Sequence, residues 1–235
     1  MDINADIGEG YDDAGLMPYL MRASIACGGH TGDARSMDAA LALAAEYGVA
    51  VGAHPSYPDR EGFGRRDLAA TPDQIVRWVT QQIEALAEIA ARRGLRLVHV
   101  KPHGALYNAA AQDEAIAATI AQAVKGWDPS LILLGLSGSR LIEAGRAAGL
   151  TVMQEVFADR RYQPDGQLVS RETPGALITD PETAADQAYA LAHDQPIVAL
   201  DGSPLRLAAD TLCLHSDTPG GVGIARAVAQ ALNRG

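Results

Sequence analysis

Seven short, largely apolar segments recur along this chain, most of them followed by a helical pattern, and this alternation constrains the fold more than any other feature. The strand candidates are residues 2–7, 23–27, 49–53, 95–100, 131–136, 152–158 and 212–215. Several are near-continuous apolar runs between turn residues, as parallel strands covered on both faces are. The helical stretches between them are well punctuated. Thr71-Pro72-Asp73-Gln74 has the form of a capping box with proline at the first helical position. Ile75, Val79, Ile83, Leu86 and Ala90 then share one stripe, and Arg92, Arg93 and Gly94 suit a helix end. Ile116, Ile120 and Val124 repeat at helical spacing after Asp113, and Asp180-Pro181 and Thr218-Pro219 predict two further helix starts. Two stretches break the alternation. Residues 197–200 and 205–207 around Asp201-Gly202 read as a hairpin, and residues 160–177 are irregular.

The 235 residues contain no linker, low-complexity tract or internal repeat, so residues 1–235 are expected to form a single domain. An alternating α/β chain of this length can close into a (β/α) barrel or form a doubly wound open sheet, and periodicity does not choose between them. With 19 basic against 29 acidic residues the net charge is −10, which disfavours nucleic acid and anionic membranes as partners. No leader pattern or membrane-length apolar run is visible, so the expected location is cytoplasmic. Cys27 and Cys213 lie far apart and outside any paired-cysteine motif, which argues against a zinc ribbon, a thioredoxin-type site or a disulfide framework.

Polar residues cluster where the strands end. In order these are Asn4, Asp6 and Glu9; His30 and Asp33; His54 and Asp59; Lys101, His103 and Asn108; Glu155, Asp159 and Arg160; and His215 and Asp217. Parallel strands place all such clusters on the C-terminal face of a barrel, whereas an open sheet gathers only those near its switch point. The distribution therefore favours closure. Structural explanations compete at some positions. Asp33 can simply cap a helix, Asn4 and Asp6 can form turns, His99 reads as a packed strand residue and His193 as a helix-end residue. His30, His54, His103 and His215, each in a strand-end loop beside Gly, Pro or Asp, together point to a site. Cys27 is a weak nucleophile candidate. No Walker-type loop, nucleophile elbow or dinucleotide fingerprint is present.

The segments NADIGEG, SIACGGHTGD, GAHPSYPDREGFGRR, HVKPHGALYN, EVFADRRY-x-x-DG-x-LV-x-R and LCLHSD, in that order, closely resemble the LamB/YcsF family over residues 2–217. The resemblance implies a distorted seven-stranded (β/α) barrel similar to the carbohydrate-deacetylase-like, TIM-like barrels. It also implies ATP-dependent opening of 5-oxo-L-proline (pyroglutamate) to L-glutamate by a 5-oxoprolinase assembled with subunits B and C, the complex using ATP with Mg2+. Where this chain has Gly29 and Ser216, the family usually carries an aromatic residue and glycine; loss of the ring beside His30 is expected to alter the pocket.

Within that reaction Asp6, His54 and His103 are candidate bases, and Lys101 is a candidate for binding phosphate or oxyanion charge. Arg65, Arg66 and Arg160 are candidate anchors for a substrate carboxylate. Asn4, Glu9, His30, Asp33, Asn108, Glu155, Asp159, His215 and Asp217 complete the expected substrate-binding set. Alternation aims Lys101 and His103 the same way, with Pro102 restricting the chain between them. Two other readings keep the barrel: a stand-alone amide or acetyl hydrolase with a metal on Asp6, His54 and His103, as in related deacetylases, and a non-catalytic scaffold that only binds substrate.

Overall fold

Seven parallel strands close into a barrel in the computed structural model, which describes residues 1–233. The strands run β1 (Asp2–Ile7), β2 (Arg22–Ala26), β3 (Ala50–His54), β4 (His99–Val100), β5 (Ile132–Leu136) and β6 (Val152–Phe157), and β9 (Thr211–Leu214) pairs with both β6 and β1 to complete the ring. The antiparallel hairpin of β7 (Ile197–Val198) and β8 (Pro204–Leu205) stands apart, around the expected Asp201-Gly202 turn. Closure excludes the open-sheet alternative.

The helices are α1 (Asp13–Leu16), α2 (Ala34–Tyr47), α3 (Pro72–Arg92), α4 (Gly104–Gln112), α5 (Glu114–Trp127), α6 (Arg140–Ala148), α7 (Pro181–Ala192) and α8 (Gly221–Leu232). Their starts follow local chemistry. Thr71 and Gln74 form the reciprocal capping box of α3, while Asp113 and Asp180 cap α5 and α7. The last helix begins at Gly221, later than Thr218-Pro219 suggested. The Thr218 hydroxyl is instead donated to Asp159, and a Cβ at Gly221 would stand 2.7 Å from the His215 carbonyl oxygen. No described helix is long and apolar enough to cross a membrane.

Alternation along the strands sorts side chains by chemistry. Ile3, Ala5, Ile7, Ala23, Ile25, Val51, Ala53, Val100, Leu133, Val156, Leu212 and Leu214 belong to the main apolar core. Intervening positions carry buried polar groups: Asn4, Asp6, Ser24, His54, His99, Glu155 and Thr211. Barrel interiors are usually filled by branched apolar side chains; this one is largely polar. The strands therefore alternate more than the apolar runs in the sequence suggested. The fourth strand also contracts from the expected 95–100 to His99–Val100, because Leu95 N–H still bonds the end of α3 at Ala90. Beyond it, Lys101 and His103 N–H groups bond the carbonyls of Ala53 and Pro55, which keeps the chain extended through Pro102.

Asp6, Ser24, Gly52 and His99 are register partners across β1 to β4. His99 is fully buried, with Nε2 3.1 Å from Ser24 Oγ, and burial pushes its pKa down to about 3, so the ring is neutral. A Cβ at position 52 would stand 2.4 Å from this ring, which explains glycine there. Gly52→Ala is expected to lower the unfolding free energy by about 1–3 kcal/mol through overpacking. Urea denaturation checks this; unchanged stability would show that the ring moves aside freely.

Candidate active site

The strand-end residues converge on a cavity of about 340 Å³. At its floor Lys101 is buried with its Nζ 2.8 Å from Asp6 Oδ1, 2.8 Å from Glu155 Oε1, 3.3 Å from Asn4 Oδ1 and 3.2 Å from Cys213 Sγ. Burial disfavours the ammonium, but Asp6, Cys213 and Glu155 outweigh it and hold Lys101 well above the ordinary lysine range. Burial likewise disfavours an ionised Asp6, yet His54 and Lys101 hold its carboxyl well below the ordinary range. Tyr107, on the first turns of α4, donates its hydroxyl to Glu155 Oε2 at 2.7 Å.

One wall is histidine. His54 Nδ1 lies 2.7 Å from the Lys101 carbonyl oxygen, and its Nε2 lies 3.3 Å from Asp6 Oδ2 and 2.9 Å from His103 Nδ1. His30 stacks on His103 with ring centres 3.6 Å apart, and its Nε2 lies 2.9 Å from Glu9 Oε1. Burial and the neighbouring His30 and His54 push His103 well below the usual histidine range. Burial also opposes charge on His54, but Asp6 raises it.

Across the cavity, His215 stacks on Phe157, and its Nδ1 lies 2.9 and 3.0 Å from the two Asp159 oxygens. Asp159 keeps a lowered pKa despite burial, chiefly because of His215. With Nδ1 turned to that carboxylate, His215 Nε2 stands 4.0 Å from Asp6 Oδ2. Residues 167–172 strap the mouth. There Arg65 and Arg171 both pair with Asp217. Arg160 is different: it is buried, donates through Nη2 to the Val169 carbonyl at 2.6 Å, and has no carboxylate partner among the described residues. Its Nε lacks any hydrogen-bond partner, and burial followed by the nearby Arg171 pulls its pKa down to about 10.

Of the residues expected from sequence, Asp6, Glu9, His54, Arg65, Lys101, His103, Asn108, Arg160, His215 and Asp217 line this cavity. Others do not. Asp33 is the exposed cap of α2, accepting from the Arg35 and Ser36 N–H groups. Arg66 is held outside by Asp59, with Nη2 2.6 Å from Oδ1. Asn4, His30, Glu155 and Asp159 sit behind the lining, where each touches a residue that faces it. Gly29 does not widen the pocket, because its Cβ direction is filled by Gln82 Oε1 and Ser56 Oγ, each at 2.4 Å. Cys27 is buried and its thiol is pushed up to about 12, which removes it as a nucleophile. Asp6, His54 and His103 do meet: His54 Nε2 lies 3.3 Å from Asp6 Oδ2 and 2.9 Å from His103 Nδ1. Glu9 and His30 join the two histidines in one group of potential ligands, and Cys213 and His215 join Asp6, which the Lys101 ammonium contacts, in another.

Sequence reasoning passed over Tyr107, Phe157 and Arg171. Tyr107 follows His103 by one helical turn, and Arg171 closes the LV-x-R segment, so both lay within segments already singled out.

Everything gathered in this cavity lies at the strand-end face of a closed (β/α) barrel, the face on which barrel enzymes build their active sites. The pattern of the LamB/YcsF family matches residues 1–235, and the chain belongs to that family. It is 49% identical over 238 residues to the 5-oxoprolinase A-subunit of Chloroflexus aggregans, covering 99% of this chain and 94% of that protein. The protein of the same name from Bordetella pertussis is 48% identical over 240 residues, with 100% and 95% covered. The crystal structure of the lactam utilization protein from Thermus thermophilus superposes with a TM-score of 0.93 at 44% identity, covering 100% of this chain and 96% of that one. A putative cellobiose-phosphate cleavage protein from Enterococcus faecalis shares the fold alone, at TM-score 0.58 and 12% identity.

Replacing Lys101 strands two buried carboxylates. Lys101→Met is therefore expected to cost about 3–5 kcal/mol of stability in chemical denaturation, and adding Glu155→Gln should recover part of it. A stable single variant would mean that Asp6 and Glu155 find other partners. In the unsubstituted chain, the Asp6 contribution is fully present above its ordinary value of 3.8 and is lost as pH falls through its lower folded-state value.

Proposed function

We propose that this chain is the A-subunit of an ATP-dependent 5-oxoprolinase and, with subunits B and C, opens 5-oxo-L-proline to L-glutamate. The identity of 48–49% over nearly the whole length of proteins named as 5-oxoprolinase A-subunits supports the reading, as does the close likeness to a lactam utilization protein. The geometric observation that carries it is Arg160. A buried guanidinium without a carboxylate of its own, opening on a small cavity, suits a compact anionic substrate. The cavity volume of about 340 Å³ is near the lower end of small-molecule sites and accommodates a five-membered lactam carboxylate.

A lactam carbonyl is a poor electrophile. ATP with Mg2+, bound by the assembled complex, supplies the phosphoryl group that activates the lactam oxygen. The residues of this chain then have the following roles. Arg160 holds the substrate carboxylate. The Lys101 ammonium stabilises negative charge developing on oxygen, acting in a site largely closed to water. His215, fixed through Nδ1 by Asp159, accepts a proton from attacking water at Nε2 and returns it to the ring nitrogen as the C–N bond breaks; a second water then cleaves the resulting acyl phosphate to the glutamate carboxylate and inorganic phosphate. The chain has no recognised nucleotide loop of its own, and in this proposal subunits B and C provide part of the phosphoryl-transfer machinery.

The test is reconstitution. The isolated chain is expected to show negligible turnover of 5-oxoproline, and the three subunits with ATP full turnover. In the reconstituted complex, Arg160→Gln should lower kcat/KM by about 10²-fold or more, the scale of losing one buried charge partner. Full ATP-coupled turnover by the isolated chain, or none by the three subunits together, would refute the proposal.

A further inference from the structure

Three histidines in the cavity wall have one ring nitrogen committed by their surroundings. His54 Nδ1 lies 2.7 Å from the Lys101 carbonyl oxygen, and His103 Nε2 lies 2.9 Å from the Phe63 carbonyl oxygen. A carbonyl oxygen only accepts, so both nitrogens carry hydrogen. His30 Nδ1 lies 3.0 Å from Ser56 Oγ, whose single hydrogen is donated to the Tyr57 carbonyl. His30 Nδ1 is therefore a donor as well.

In the neutral rings the bare nitrogens are then His30 Nε2, His54 Nε2 and His103 Nδ1. All three converge with a Glu9 carboxylate oxygen, within 4.8 Å of one another. His54 Nε2 faces His103 Nδ1 at 2.9 Å, and His30 Nε2 faces Glu9 Oε1 at 2.9 Å. Lone pairs opposed at that distance repel, so the cluster needs positive charge at its centre.

We propose that Glu9, His30, His54 and His103 bind one divalent transition-metal ion of the zinc class. The separations of Glu9 Oε1 from His30, His103 and His54 are 2.9, 3.4 and 3.8 Å. Tetrahedral ligands about 2.0–2.1 Å from an ion stand roughly 3.4 Å apart. Metal-bound histidines characteristically donate their other N–H to an oxygen acceptor, which all three do here. The donors come from the ends of β1, β2, β3 and β4, which are pinned to one another by the barrel. Because Glu9, His54 and His103 also line the cavity, an ion held there borders it. The second group of potential ligands, Asp6, Cys213 and His215, differs in kind: the Lys101 ammonium contacts two of its three members and already supplies the cation. The alternative occupant of the histidine cluster is hydrogen itself: one proton shared by His54 and His103, and another on His30 against Glu9.

The metal site rests on hydrogen-bond geometry and does not depend on the lactam reaction. It is tested on the full chain, stripped with a chelator and titrated with Zn2+ by calorimetry and with Co2+ by visible absorption. Saturable uptake of about one ion per chain with release of protons is expected, together with the intense d–d bands of low-symmetry Co2+. Glu9→Gln and His103→Asn should abolish tight uptake. Ser56→Ala, which removes only the oxygen behind His30, should weaken affinity by about 10–100-fold. His193→Ala, far from the cluster, should leave it unchanged. Circular dichroism checks each variant for folding, and should His103→Asn fail to fold, Glu9→Gln and Ser56→Ala decide. No saturable uptake by the unsubstituted chain, or uptake equally tight in Glu9→Gln and Ser56→Ala, overturns the site and leaves the cluster to protons. Turnover of the reconstituted three-subunit complex is read separately, so loss of the metal site and loss of the lactam reading are distinguishable.

Discussion

The ammonium of Lys101, buried between Asp6 and Glu155, is the interaction on which the interior of this barrel depends. Moving any one of these charges out of water is costly, and attraction repays the cost only where the geometry is good and the remaining polar atoms are satisfied. Here Asn4 and Tyr107 supply further hydrogen bonds, and Asn4 is itself held by Thr211 across the closing seam of β1 and β9. The ion cluster thus ties β1 and β6 to the end of β4, at the point where the chain turns into α4. A barrel closed around a polar interior gains less from apolar burial inside, so the apolar contribution comes from the other face of the strands and the helices packed on it.

Two kinds of histidine surround this ion cluster. His215 is oriented by a carboxylate, Asp159, and presents one nitrogen to the cavity. His30, His54 and His103 are oriented by neutral oxygens and present their nitrogens to one another. The first arrangement suits proton transfer, because the charge that forms on the ring is balanced at its back. The second suits holding a cation, because the balancing carboxylate, Glu9, stands in front, among the bare nitrogens.

The mouth is shaped by the irregular segment after β6. It has little regular pairing beyond isolated bridges, Arg160 with Leu177 and Tyr162 with Leu168, yet Tyr162 is fully buried and its hydroxyl accepts the Phe157 N–H. The segment is thereby anchored at its root while residues 167–172 reach over the cavity, and Asp217 joins Arg171 of this strap to Arg65 of the loop after β3. Arg160, beside this strap, is buried and has no carboxylate partner among the described residues.

Elements that depend on near neighbours were legible in the sequence. The caps at Thr71, Asp113 and Asp180, the hairpin turn at Asp201-Gly202 and the βα order all rest on residues a few positions apart, and local chemistry determined them. The resemblance to a known family supplied the strand count, which periodicity could not, and the expectation of a reaction class. The division of strand-end residues into lining, backing and outer surface was decided only by the tertiary structure. Asp33 and His30 are three residues apart and both followed a strand, yet one caps a helix in solvent and the other stacks on His103. Arg65 and Arg66 are adjacent, yet one reaches Asp217 and the other Asp59. Such choices depend on which face each side chain takes and on what the closed ring brings opposite it. Asn4 meets Thr211 across 207 residues and Lys101 meets Asp6 across 95, separations at which only the register of the closed barrel selects the partner.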